Sequence, residues 1–104
     1  KYADVKNGTA GHRSLPVTAR TLVVFGFSYG TQKGDIIRLN ITGPKGAVIT
    51  EDLKLTRHNA RAFRAVGKRL RWRRTWPAGT YIARAALLRN DIEISAKETE
   101  VTLN

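Results

Sequence analysis

Apolar residues occur at every second position over much of this chain, and short turn sequences separate the segments that show this pattern. Ile37, Leu39 and Ile41 alternate with Arg38 and Asn40. A period of two puts successive side chains on opposite faces, so it predicts a β-strand with one buried face. Alternation, or a high content of β-branched and aromatic residues, predicts strands over residues 21–29, 36–42, 47–55, 80–89 and 92–103.

Turn sequences connect these segments directly. They are Gly43-Pro44-Lys45-Gly46, Pro77-Ala78-Gly79 and Asn90-Asp91. Short strands joined by hairpins predict an all-β fold, and we expect an Ig-like or fibronectin-III-like antiparallel β-sandwich of about seven strands. A chain of 104 residues accommodates one domain. We therefore expect a single sandwich domain over residues 15–104, preceded by a loose lead-in over residues 1–14.

One segment, residues 57–68, fits two interpretations. Arg57, Arg61, Arg64 and Lys68 recur at helical spacing, with Gly67 as a possible helix end. Alternation fits as well, although neither face of the resulting strand is cleanly apolar. Periodicity slightly favours a helix, but a sandwich requires a strand between residue 55 and the turn after Trp76. We therefore favour a strand.

The basic residues are concentrated in one third of the chain. Eleven basic residues and no acidic residue lie between Lys54 and Arg89, and the net charge is +11. The remaining eight basic residues equal the eight acidic ones in number, so this segment carries the whole excess charge. A surface of one sign attracts polyanions, which indicates an anionic partner.

The centre of this segment predicts a ligand-binding site. We call it the basic patch, and its predicted residues are Arg69, Arg71, Trp72, Arg73 and Arg74. Arginine can pair with phosphate or carboxylate through two hydrogen bonds, and Trp72 could stack on a base or a sugar ring. The competing interpretation is a solvated hairpin loop with Leu70 and Trp72 packed on the domain.

Few residues suggest catalysis or metal binding. His12 and His58 stand alone, the chain has no cysteine, and no His-x-His or His-Glu-x-x-His motif is present. The acidic residues fall in turns or at outward strand positions, and Asp35 is better explained as a turn residue than as a catalytic acid. We expect no enzyme activity of this domain alone, no catalytic residue, no metal site and no cofactor.

Trp76 and Tyr81 are predicted to be structural. A tyrosine just after a turn in a sandwich domain commonly enters the core and bonds its hydroxyl to nearby backbone, an arrangement called the tyrosine corner. Trp76 would pack across the end of the sandwich as an apolar anchor.

Several short motifs in this order resemble a known accessory domain. They are Leu15-Pro-x-Thr-Ala19, Tyr29-Gly30, Gly34-Asp35-x-x-Arg-Leu39, Gly43-Pro-x-Gly46, Arg57-x-x-Ala60 with Phe63, Gly67-Lys-Arg69, Trp76-Pro-Ala-Gly-Thr-Tyr81 and Leu88-Arg89. Together they are similar to the C-terminal β-sandwich accessory domain of M23-family (lysostaphin-like) peptidoglycan metallopeptidases of Gram-negative bacteria, over roughly residues 15–103. Where that family tends to have a short Pro/Gly-rich stretch before the Trp-Pro turn, this chain has the basic and aromatic segment 70–75.

The resemblance implies a parent zinc peptidase whose His-x-x-x-Asp and His-x-His ligands lie outside this domain, and a periplasmic or cell-envelope location. Three hypotheses follow. The first is a non-catalytic module that binds peptidoglycan, or packs on the parent peptidase domain, through a basic surface. The second is a structural Ig-like spacer or protein-interaction module. The third is a nucleic-acid-binding β domain. No apolar run approaches the ~18 residues that cross a membrane.

Overall fold

The computed structural model describes residues 3–6, 13–71 and 74–104, and these residues form eight β-strands in two packed sheets. The strands are β1 Ala3–Lys6, β2 Arg13–Leu15, β3 Thr21–Thr31, β4 Ile36–Gly43, β5 Gly46–Lys54, β6 Asn59–Arg69, β7 Gly79–Arg89 and β8 Ile92–Leu103. The described part of the chain contains no helix, so the prediction of a small all-β sandwich is confirmed.

The two sheets differ in size. One sheet has three strands in the order β1-β3-β6, and the other has five in the order β2-β8-β7-β4-β5. The long strands pair antiparallel, as predicted, through the hairpins β4–β5 and β7–β8 and the pairs β4–β7 and β3–β6. The turn of the β7–β8 hairpin has positive φ at both Asn90 and Asp91, a conformation that these two residue types tolerate.

The two shortest strands lie in the segment that was predicted to be a loose lead-in. Strand β1 runs parallel to β3, and β2 runs parallel to the end of β8. Both strands cover an edge of a sheet by backbone pairing, which needs no large apolar side chain. Residues 3–6 and 13–14 of the predicted lead-in therefore pair with the sheets, and the bounds of the domain stay a prediction.

Residues 59–69 form a strand, which decides between the helix and strand interpretations of residues 57–68. Strand β6 pairs with β3 in continuous register from Arg69 opposite Thr21 to Arg61 opposite Tyr29. The inner side chains Ala62 and Val66 contribute to the core from this strand. Basic residues at helical spacing can therefore stand on a strand. Pairing within the sheet determines which face of that strand is buried, and the sequence pattern alone left this open.

The core lies between the inner faces of the two sheets and follows the predicted alternation. Strand β4 contributes Ile37, Leu39 and Ile41, all of which are buried. The small sheet approaches β7 closely at Gly26, where an added Cβ would lie 3.0 Å from the Cβ of Ala85. A side chain at residue 26 would therefore force the sheets apart.

The first half of β8 does not bury the isoleucines that its alternation suggested as a core face. Ile92 is 65% exposed and Ile94 is 48% exposed. A register shift at Leu87/Leu88 leaves Ile94 without a paired position, whereas Thr99, Val101 and Leu103 farther along the strand are buried. Regular pairing from Ser95 opposite Leu87 to Leu103 opposite Gly79 puts the odd-numbered positions of β8 on the core side. Ile94 therefore lies on the opposite face, and Ile92 pairs with Arg89 beside the hairpin turn.

A buried ion pair joins the β3–β4 turn to the end of β7. The Asp35 carboxylate accepts hydrogen bonds from the Arg89 guanidinium at 2.9 Å through both of its oxygens, and it also accepts the Gln32 backbone N–H at 2.9 Å. The backbone carbonyl of Asp35 accepts the Leu55 N–H at 2.8 Å. The hydrogen bond from Arg89 is the main reason that the pKa of Asp35 lies below its usual value. Asp35 therefore links three parts of the chain that are distant in sequence.

Replacing Asp35 with Asn should destabilise the fold at neutral pH. We expect Asp35→Asn to lower the free energy of unfolding by about 2–3 kcal/mol, somewhat less than for a fully enclosed pair because the Arg89 side chain is partly exposed. The pKa of Asp35 is lower in the folded protein than in the unfolded chain. The stabilisation by its carboxylate is therefore complete at pH values above the unfolded-state pKa, near 4, and is lost as the pH falls through the folded-state pKa. Urea unfolding at pH 7 and pH 3 should show the gap between wild type and variant closing at low pH.

The control for this prediction is Asp52→Asn. Asp52 pairs with Arg38 through two hydrogen bonds of 2.8 and 2.9 Å, but both side chains are substantially exposed. Solvent screens the attraction between exposed charges, so Asp52→Asn should lower the free energy of unfolding much less than Asp35→Asn does. Equal losses at the two positions would contradict the anchoring role of Asp35.

The hydroxyl of Thr99 is buried without a hydrogen-bond partner among the described residues. A buried hydroxyl that makes no bond costs free energy, and valine has nearly the same shape. We expect Thr99→Val to raise the free energy of unfolding by about 1 kcal/mol. Thr102→Val, at a neighbouring position that does make an interaction, serves as the control and should not be stabilising. A destabilised Thr99→Val protein would show that the hydroxyl is satisfied in solution.

Candidate ligand-binding surface

The basic patch lies at one end of the three-stranded sheet. Arg69 ends β6, and the exposed Arg71 and Arg74 follow in the next loop, where the Arg74 N–H donates to the Arg71 carbonyl at 3.0 Å. Trp72 and Arg73 lie outside the described residues. The half-buried Leu70 packs against the core, and its N–H donates to the Arg20 carbonyl at 2.7 Å, which fixes where the loop begins. The described arginines of the patch are thus presented to solvent from an anchored loop.

The structure places Trp76 and Tyr81 in the core. The indole N–H of Trp76 donates to the Ala19 carbonyl at 2.7 Å, and the Tyr81 hydroxyl donates to the Pro77 carbonyl at 2.7 Å. The second bond is the geometry of a tyrosine corner. Burial raises the pKa of the Tyr81 hydroxyl. The Tyr81 ring also packs over Gly43, where an added Cβ would lie 2.7 Å from the ring.

Charges on the outer face of the five-stranded sheet are paired. Arg84 contacts Glu98 at 3.3 Å and Glu93 through two hydrogen bonds, and Arg38 pairs with Asp52 across β4 and β5. These hydrogen bonds lower the pKa of Glu93 and of Asp52. Arg69, Arg71 and Arg74 make no ion pair with another described residue. The positive charge available to an external ligand is therefore greatest around the small sheet.

The outer face of the small sheet carries exposed aromatic side chains. We call this surface the aromatic face; its rings are those of Phe25, Phe27, Tyr29 and Phe63. Phe27 lies directly opposite Phe63, and the two are 46% and 51% exposed, while Tyr29 is 74% exposed. The Phe25 and Phe63 ring centroids are 5.2 Å apart, and those of Phe27 and Tyr29 are 5.0 Å apart, nearly perpendicular. The rings form one continuous apolar surface.

The aromatic face joins the basic patch through β6. Its outward positions are Arg61, Phe63, Ala65, Gly67 and Arg69, so arginines stand at both ends and uncharged residues between them. The sequence pattern identified the arginine end but not the rings, because the aromatic content of residues 21–29 was used only to predict a strand. The sequence does contain the information, because Phe25, Phe27 and Tyr29 are spaced two positions apart and therefore lie on one face of a strand.

The remaining cations of β6 point to a different side of the molecule. The Lys68 ammonium group reaches the Val48 carbonyl of β5 at 3.4 Å, and the Arg64 guanidinium donates to the Phe63 carbonyl at 2.8 Å. Because β5 and β6 are both edge strands, these side chains lie along the open side of the sandwich. Charged side chains on such edges oppose pairing with another chain.

The described residues show no cluster of three metal-binding side chains. The exposed His58 accepts the Lys33 backbone N–H through Nδ1 at 3.4 Å, and His12 lies outside the described part of the chain. The cations of the basic patch can pair with anions, and the rings of the aromatic face can pack against flat apolar groups.

Comparisons with family models, with curated proteins and with solved structures found no match to this chain. Across the described residues there is also no helix with the length and apolar character needed to cross a membrane.

Proposed function

We propose that this domain is a non-catalytic accessory module of a bacterial cell-wall peptidase, and that it binds peptidoglycan in the cell envelope through the basic patch. The observation that supports the proposal most is that some arginines pair with acidic residues of the domain and others do not. Arg38, Arg84 and Arg89 are engaged with acids of the domain, whereas the described arginines of the basic patch make no such pair. We name this class of peptidase because the short motifs of the chain resemble those of the M23-family accessory domain.

The chemistry of peptidoglycan suits such a surface. Its peptide stems carry free carboxylates, and arginine binds a carboxylate through two parallel hydrogen bonds. The excess of +11 would also attract an anionic polymer and raise the rate of encounter. Leu70 and Trp76 are fixed on the domain at either side of Arg71 and Arg74, which reduces the backbone entropy lost when a ligand binds.

Removing the described arginines of the patch should weaken binding to soluble peptidoglycan fragments. We expect the triple variant Arg69→Ser, Arg71→Ser, Arg74→Ser to bind at least about tenfold more weakly, because each charge-assisted hydrogen bond contributes more than a neutral one. A chemical-shift titration at near-physiological salt measures the dissociation constant and locates the affected residues. The same titration with a short single-stranded DNA tests the nucleic-acid alternative.

A charge-matched control separates the patch from overall charge. Lys33→Ser, Lys54→Ser, Lys97→Ser removes the same three charges at exposed positions away from the patch, and should retain near wild-type affinity. Equal weakening by both triple variants would mean that net charge alone attracts the polymer. Binding of the DNA but not of the fragments by wild type would overturn the proposal.

A further inference from the structure

Three phenylalanines are present in the chain, and all three lie on the aromatic face. Outer strand positions accept polar residues of high β-propensity, as Thr21 on the same strand illustrates, so the strand itself does not require rings there. Phe27, Tyr29 and Phe63 expose much of their surface to water. A continuous exposed apolar patch on a soluble domain marks a site of interaction.

A second copy of the chain is a poor occupant. Two aromatic faces packed together would bring the arginines at the ends of one face near those of the other, in a domain that already carries +11. Like charges at a desolvating interface oppose association. The occupant should instead carry negative charge.

The spacing of the cations distinguishes among anionic polymers. Arg61 and Arg69 are eight positions apart on β6, which corresponds to roughly 26 Å of strand. The outward side chains between them on β6 are those of Phe63 and Ala65, together with Gly67. Nucleic acids carry a phosphate on every unit and are bound by cations that follow the backbone beside the stacked bases. On β6, charges at the two ends of an uncharged stretch favour a polymer in which carboxylates are separated by uncharged rings.

We infer that the aromatic face binds a carboxylate-bearing glycan strand, with sugar rings packed on Phe27, Tyr29 and Phe63 and carboxylates paired with Arg61 and Arg69. The electropositive C–H faces of a sugar ring complement the negative face of an aromatic ring. This inference rests on the proposed function and deepens it, because it extends the ligand from the basic patch along the whole small sheet. Of the basic patch it uses Arg69 alone, and the other side chains that it assigns to the glycan are Arg61 and the rings of the aromatic face.

The test uses the 104-residue chain with soluble peptidoglycan fragments and with an uncharged chitin oligosaccharide. Phe27→Thr, Tyr29→Thr removes two exposed rings and retains β-propensity. We expect about tenfold weaker binding of both probes, because each ring contributes apolar contact. Arg61→Gln should weaken binding of the charged fragments about fivefold and leave the uncharged oligosaccharide unaffected.

The matched control is Ile92→Thr, Ile94→Thr, which removes two exposed apolar side chains from β8 and should bind both probes as wild type does. Thermal unfolding of each variant checks that the fold persists. Unchanged fragment binding by Phe27→Thr, Tyr29→Thr would overturn this inference and leave the proposed function standing. In a parallel titration with the short single-stranded DNA, loss of DNA binding by Phe27→Thr, Tyr29→Thr with fragment binding retained would overturn the inference in favour of nucleic acid. No binding of any fragment by wild type would overturn both.

Discussion

The narrow spacing of the two sheets at Gly26 determines what the interior of this domain can contain. An added Cβ there would meet Ala85 at 3.0 Å and Leu39 at 3.1 Å, and the buried Ala62 and Ala83 also contribute small side chains to the core. Aromatic rings at these inner positions would separate the sheets and sacrifice close packing across the whole core. The rings of β3 are therefore confined to the outer face. The same strand contributes buried side chains to the core on one side and presents exposed aromatic rings on the other.

Local patterns predicted the parts of the fold that depend on local chemistry. The Trp76-Pro77 turn followed by Tyr81 was sufficient to anticipate the tyrosine corner, because donor and acceptor are four residues apart. The ion pair of Asp35 with Arg89 joins residues 54 positions apart, so no short window contains both, and Asp35 alone looked like a turn residue. To predict the aromatic face, one would have to know which face of β3 is covered by the other sheet. Alternation gives two faces, but it does not say that the aromatic one is exposed.

The outer faces of the two sheets carry their charges differently. On the five-stranded sheet, cations and acids neutralise one another across neighbouring strands, as Arg84 does with Glu93 and Glu98. On the three-stranded sheet, the outward positions of β3 and β6 contain no acid, and Arg61 and Arg69 frame an apolar centre. An apolar centre with a polar rim is the usual organisation of a recognition surface. The excess charge of the chain is therefore a local property of one side of the molecule.

The Arg89 guanidinium that holds Asp35 also donates to the Gly30 carbonyl at 3.3 Å, one residue beyond Tyr29. Gly30 has a φ of 60°, so the chain leaves the outer face in a conformation that glycine adopts without strain. The ion pair thereby fixes the backbone at the point where the most exposed ring is attached. A ring on a rigid backbone has less conformational entropy to lose when it is covered. The interaction that stabilises the fold would thus also lower the entropic cost of covering the Tyr29 ring.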